Sequence, residues 1–295
     1  MRAKEFFALI GAAAFGWVDD NALRLSAALA YYSIFALAPL LIIVLAVAGL
    51  IFGEAAAQGR ITDQLKLLAG ERAAEAIQAL LLGTSRGGSY SATAVGVVVL
   101  LFGASGAFGE LKSALNTIWG VQIKPGTALR TMARERVISF SMVLGVGFLL
   151  VISLIVSAGL AAFDSLLRNR LALPGVVFHG TDILASVIVM TILFATVFKV
   201  LPNVILRWRD VWIGAACTAI LFTIGKFVIG LYLGTSAVSS YYGAAGSAIV
   251  ILLWVYYSAC ILFFGVEFTK AYVRKFGPGI RPDSRAMLRP ECNAD

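Results

Sequence analysis

The sequence predicts an all-α polytopic membrane protein with six transmembrane helices, an interfacial helix at the N-terminus and an amphipathic helix on the outer side. Three observations carry this. First, 60% of the 295 residues are hydrophobic and only 14% are charged, against roughly 45–50% apolar and about 25% charged in soluble domains. A water-soluble fold would leave much of that apolar surface exposed. Second, several long windows hold no charge at all. Third, the Lys and Arg residues concentrate in alternate connections between those windows.

The chain opens with an apolar stretch, 5–18, behind Arg2 and Lys4. Ala12, Ala13 and Ala14 would suit a signal-peptide cleavage site. Phe6, Ile10, Ala13 and Trp17 instead recur at helical spacing, which favours a helix lying on the inner membrane surface. Asp19, Asp20 and Asn21 are placed to cap the next helix.

A spanning helix needs about 20 mostly apolar residues. Uncharged windows place helices near 25–52, 90–110, 137–163, 182–201, 211–233 and 245–268. Pro39 kinks the first of them, and neighbouring helices can satisfy the freed carbonyl. Residues 60–82 form a mixed-charge amphipathic stretch, either a packed outer helix or a lid over a cavity. Gly103, Gly106 and Gly109 line one face of the second span, suited to close packing within the bundle or between subunits of a homo-oligomer. The rows Ser153/Ser157/Ala161 and Gly214/Thr218 read as packing stripes. The uncharged stretch 234–246, with Tyr241 and Tyr242, is either a tight outer loop or a flexible mouth. Residues 1–275 thus make one transmembrane domain, followed by a disordered cytoplasmic tail over 276–295, rich in Pro and Arg and expected to touch anionic lipid.

Counting Lys and Arg orients the chain. The N-terminal segment, the 111–136 and 199–210 loops and the tail hold 17, the other loops 6. Both termini therefore belong in the cytoplasm. Trp17, Trp119, Trp208 and Trp212 fall at the expected inner boundary, where amphipathic rings are favoured.

The chemistry-bearing residues are few. The single histidine, His179, falls in an expected outer loop. There is no H-E-x-x-H, nucleophile elbow or Walker A loop, so neither an enzyme nor an ATP site is expected. No metal or other cofactor is expected, and no nucleic-acid partner. Cys217, Cys260 and Cys292 form no C-x-x-C pair. Intramembrane polar residues are the remaining candidates, because charge in lipid is costly. Lys226 lies about 10 Å from the outer end of the fifth helix. It either snorkels outward or faces a substrate path. Glu267 is three residues from Lys270, so a helical ion pair competes with a gate role. Glu110, Asn116 and Arg24 sit toward the inner face, as a vestibule or as ordinary boundary residues.

Several runs resemble the YihY/BrkB family of inner-membrane proteins. Ser26-Ala27-Ala28-Leu29-Ala30-Tyr31-Tyr32-Ser33 and Leu37-Ala38-Pro39-Leu40-Leu41 are similar to its first helix. Ala114-Leu115-Asn116-Thr117-Ile118-Trp119, Leu201-Pro202-Asn203 and Trp212-Ile213-Gly214-Ala215 follow in order. So do Tyr242-Gly243-Ala244-Ala245-Gly246-Ser247, Trp254-Val255-Tyr256-Tyr257 and Gly265-Val266-Glu267, with Val266 where the family more often has Ala. The resemblance covers about 5–275. It implies a bacterial inner-membrane location, about six helices and export of a small or lipid-like solute. Members also carry a ribonuclease label and a virulence-factor name. The first finds no supporting carboxylates or base in these residues, and the second describes a phenotype. The expected function is a transporter or flippase-like exporter in contact with membrane lipids. The alternative is a non-transporting scaffold in envelope biogenesis.

Overall fold

The computed structural model describes residues 3–35, 106–124, 175–235 and 244–289. The spans expected near 137–163 and most of 25–52 and 90–110 lie outside the described residues, as does the amphipathic stretch 60–82. The described residues are mostly helical. They form α1 (Ala3–Asp19), α2 (Ala22–Phe35) and α3 (106–118). Then come β1 (Val121–Ile123), α4 (Gly175–Val200), α5 (Trp208–Thr235), α6 (Ala244–Phe276) and β2 (Ala286–Leu288).

The stretch expected to lie on the inner membrane surface is helical and forms α1. Asn21 then turns the chain into α2 with φ 51°, a left-handed conformation that Asn tolerates better than most residues. Its side chain donates to the Asp19 carbonyl at 3.3 Å. Glycine plays the matching part after α3. Gly120, at φ 66°, donates its N–H to the Thr117 carbonyl and redirects the chain into β1.

Two helices are long and apolar enough to cross a membrane, within Trp208–Ile229 and Ile249–Phe276. Ala22–Phe35 and Ser186–Val200 are shorter apolar helices. Along α5 the side chains of Ile220, Ile224, Phe227 and Leu231 stand exposed. Such a face suits hydrocarbon as solvent, and water poorly.

The core is shared by α2 to α6 and is closed by β1, β2 and the connection 201–207. Aromatic rings run through it. Phe198 stacks on Phe194, Phe194 meets Phe222 edge-on, and Phe222 meets Trp254, with centroids 5.7–6.2 Å apart. These contacts tie α4 to α5 and α5 to α6. Edge-to-face geometry aligns a positive ring edge with a negative face, adding to the burial.

Glycines and threonines set the α5–α6 contact. A Cβ on Gly214 would overlap the Thr269 hydroxyl, and one on Gly265 would overlap the Thr218 hydroxyl. The two pairs are reciprocal and run in antiparallel register. Each hydroxyl donates back to its own helix at 2.7 Å, Thr218 to the Gly214 carbonyl and Thr269 to the Gly265 carbonyl. The threonine is thus polar-satisfied within its helix and offers compact bulk to the glycine opposite. Close backbone approach of this kind is a main source of helix association in lipid.

Four expectations need correcting. The segment after Gly277 is not disordered through residue 289. β2 pairs antiparallel with β1, with Val121 opposite Leu288 and Ile123 opposite Ala286. Pro282 bridges Val204, and the N–H of Asp283 donates to the Asn203 carbonyl. Proline prevents helix here but not extended pairing, and Ala286 buries against the core. Second, Trp119 is 1% exposed and belongs to the core, not to an interfacial ring belt. Third, His179 lies within α4, not in a loop. Fourth, Asp20 does not serve the entry of α2. Its carboxylate is taken by Lys270 on α6.

Candidate functional site

The described candidate residues have different surroundings. Lys226 is half-buried on α5, with its ammonium 5.5 Å from the ring centroid of Phe227, which is exposed. Arg24 is exposed on α2, and Glu110 is half-buried on α3. Pro39, Tyr241 and Tyr242 lie outside the described residues. Glu267 and Asn116 are buried and carry specific interactions.

Glu267 sits in the last third of α6 and is 2% exposed. Lys270, one turn on, reaches both of its carboxylate oxygens at 3.3 Å. This is the helical ion pair that the i, i+3 spacing allows. The same ammonium lies 2.9 Å from Asp20 Oδ2, contributed by the turn after α1. Two carboxylates thus share one ammonium. Gly16 completes the arrangement, because a Cβ there would overlap the Glu267 carboxylate. The backbone of α1 therefore lies directly against the acid.

Packing explains why α1 reaches this place. Leu9, Ala13 and Phe268 form a buried cluster, flanked by Phe6, Ile10, Phe264, Tyr272 and Cys217 of α5. Phe6 meets Phe268 edge-on at 5.9 Å. Farther along, Trp17 donates its indole N–H to the Cys260 carbonyl at 3.2 Å. Phe6 and Gly16 are well separated along α1, yet both meet α6 at 267–268.

A buried charge in a membrane protein is expensive, and breaking its partnership is costlier still. The Asp20–Lys270–Glu267 cluster therefore links the position of α1 to the charge balance inside α6. Among the described residues no three metal-ligating side chains converge.

Asn116 occupies a second buried polar centre. Its Oδ1 accepts from the Asn203 N–H at 2.8 Å, and its Nδ2 donates to Asn203 Oδ1 at 3.3 Å. One amide thereby fastens α3 to the turn between α4 and α5. Lys199 donates to the Leu206 carbonyl in the same turn. The tail closes over it. Arg289 donates to Thr117 Oγ1 at 3.1 Å and Lys124 to the Ser284 carbonyl at 2.9 Å. This centre acts as a structural clasp.

Sequence reasoning singled out Glu267, with Lys270 as its partner, and Asn116. It missed the part of Asp20 and the pairing of Asn116 with Asn203. The signal for Asn203 was its place in the Leu201-Pro202-Asn203 run. For Asp20 it was a carboxylate between two helices with no need of a cap.

Comparison with known proteins places the chain. The family model described as virulence factor BrkB matches residues 14–288. A UPF0761 membrane protein of Klebsiella pneumoniae is 32% identical over 183 residues, 60% of this chain and 59% of that protein. One from Alkalilimnicola ehrlichii is 28% identical over 256 residues, 85% of this chain and 55% of that protein. One from Rhodospirillum centenum is 23% identical over 256 residues, covering 85% of this chain and 54% of that protein. The chain thus spans a little over half the length of these relatives. No solved structure matches it. With a family match over nearly the whole chain, apolar helices and relatives named as membrane proteins, this chain is a membrane protein of the virulence factor BrkB family.

Proposed function

We propose that the protein is a transporter or flippase-like exporter of a small or lipid-like solute in the bacterial inner membrane. In this reading six helices cross the bilayer, both termini lie in the cytoplasm, and α1 rests on the inner surface. The observation that carries it is the Asp20–Lys270–Glu267 cluster, in which Glu267 and Lys270 are buried and Asp20 partly so. Packing alone does not require two carboxylates and an ammonium in an otherwise apolar contact. An ionisable residue within a membrane helix marks a functional site by default. Glu267 would form the inner gate and α1 its moving part, since α1 backbone lies on the acid at Gly16. Lys226 would bind an anionic group of the solute deeper in the path.

Reconstitution tests the reading. The purified chain is placed in vesicles containing phosphatidylethanolamine or phosphatidylglycerol with a fluorescent headgroup label, and the outer leaflet is bleached with dithionite. Transport extends bleaching beyond the outer leaflet, and Glu267→Ala at normal expression abolishes the excess. Bleaching confined to the outer leaflet for both lipids removes the flippase form of the proposal. Excess bleaching that Glu267→Ala leaves unchanged removes the gate. Unchanged transport in Lys226→Ala removes the lysine's role.

A further inference from the structure

We infer that the clasp end of the bundle carries a docking site for the headgroup of an anionic phospholipid, built on Arg207 and Arg281 and flanked by Trp208 and Trp212. The inference does not depend on whether any solute crosses the membrane.

The pairing of the tail with the 201–207 connection creates the site. Val204 bridges Pro282 in antiparallel sense. The Ile205 N–H donates to the Arg281 carbonyl at 2.8 Å, and the Asp283 N–H to the Asn203 carbonyl at 2.9 Å. Burial alternates along the connection on which Pro282 forms its bridge. Val204 and Leu206 are 6% and 3% exposed, whereas Ile205 and Arg207 face outward. Arg281 is also exposed and lies opposite Ile205. Residues opposite each other in an antiparallel pair share a face, and diagonal neighbours remain within reach of long side chains. The bridge at Val204 and the alternation of burial thus leave Ile205, Arg207 and Arg281 on the exposed side of this connection, with Arg281 opposite Ile205 and Arg207 two residues on.

Like charges so placed repel, and a bound anion relieves the repulsion. The acidic residues of these segments do not supply that anion. Asp210 is 7% exposed. Asp283 Oδ1 accepts from the Ser284 N–H at 2.7 Å and from its hydroxyl at 3.3 Å. Arg209 and Arg285 are further exposed cations in the same segments.

The surroundings favour a lipid over a dissolved phosphate. Ile205 is 57% exposed, Trp208 51% and Trp212 42%. The two indoles are one turn apart on α5, so they share a side of that helix. Indole rings partition to the level of lipid headgroups and glycerol. Guanidinium groups bind phosphate oxygens in forked geometry. A phosphodiester between the arginines, with its glycerol and upper chain against Ile205 and the indoles, satisfies both requirements. A free phosphate would leave the apolar part in water.

The test uses the whole chain in phosphatidylcholine vesicles and reads quenching of tryptophan fluorescence by brominated lipid. Brominated phosphatidylglycerol should quench with an affinity at least about five-fold above that of brominated phosphatidylcholine, since one engaged arginine is worth roughly that factor. The preference should shrink as salt rises. Arg207→Gln with Arg281→Gln should abolish it without altering the thermal midpoint. Arg274→Gln with Lys275→Gln, which removes two exposed cations elsewhere on α6, should preserve it. Equal quenching by the two lipids, or equal loss in both double variants, would overturn the site in favour of diffuse attraction. Recovery of fluorescence on adding inorganic phosphate would overturn its assignment to lipid.

Discussion

Gly214→Ala is the sharpest probe of how this bundle is held together. The added methyl would overlap the Thr269 hydroxyl and stand 2.9 Å from Thr269 Cβ and 3.3 Å from its Cγ2. Ordinary carbon contacts begin near 3.4 Å, so α5 and α6 must part by about half an ångström or Thr269 must give way. Thr269 is 0% exposed and its hydroxyl bonds to the Gly265 carbonyl, so rotating it away breaks that bond. Separation is the cheaper response, but it also loosens the paired contact of Gly265 with Thr218. A gap of 0.5–1 Å forfeits about a quarter to a half of each dispersion contact along the seam. Overpacking of this size costs about 1–3 kcal/mol. The assay is reversible unfolding in mixed detergent micelles, run on Gly214→Ala, Thr269→Ala and the pair. The pair should be more stable than the sum of the single losses predicts, with a coupling of about 1 kcal/mol or more. Strict additivity, or a Gly214→Ala loss under about 0.5 kcal/mol, would refute the reasoning.

Lys270→Met leaves Glu267 and Asp20 without their shared ammonium. It should cost about 3–5 kcal/mol, with most of the loss recovered by adding Glu267→Gln, as read by the same unfolding assay. An unchanged midpoint in Lys270→Met would show that the cluster is not energetically coupled. Asn116→Ala removes two hydrogen bonds to Asn203 and should cost about 1–3 kcal/mol. It should also speed proteolysis in the 201–207 connection, a change that limited trypsin digestion at Arg207 would reveal.

The two helices long and apolar enough to cross a membrane, α5 and α6, were legible because hydrocarbon imposes one simple rule on composition. The end of α6 was not. The expected boundary at 268 stopped near Glu267, the first charge after a long uncharged window. The helix continues to Phe276, and the turn after α1 supplies Asp20 to the ammonium of Lys270, a partner 250 residues away that a local window cannot see. The start of α4 was missed for a related reason. Asp182 closed the window from the other side, yet helix begins at Gly175. For the site, Glu267 stood out as an acid within a span, while Asp20 looked like a cap. The tail misled most. Proline and arginine content resembles that of a disordered segment, and nothing local says that Ala286, Met287 and Leu288 will meet Val121, Gln122 and Ile123. Strand pairing over such separation is specified by the partner's buried face, not by the segment's own pattern.

That pairing also orders events during biosynthesis. Arg289 lies 172 residues beyond Thr117, to which it is hydrogen bonded. At roughly 5–20 residues per second, β1 waits on the order of ten to thirty seconds for its partner to be made. During that interval the helices can enter the bilayer and find one another while Trp119 lacks its cover. Closure by β2 then comes late in assembly, as a seal over helices already packed. A ribosome stalled before the tail would leave a bundle inserted but unlatched, recognisable to a protease by the open edge of β1.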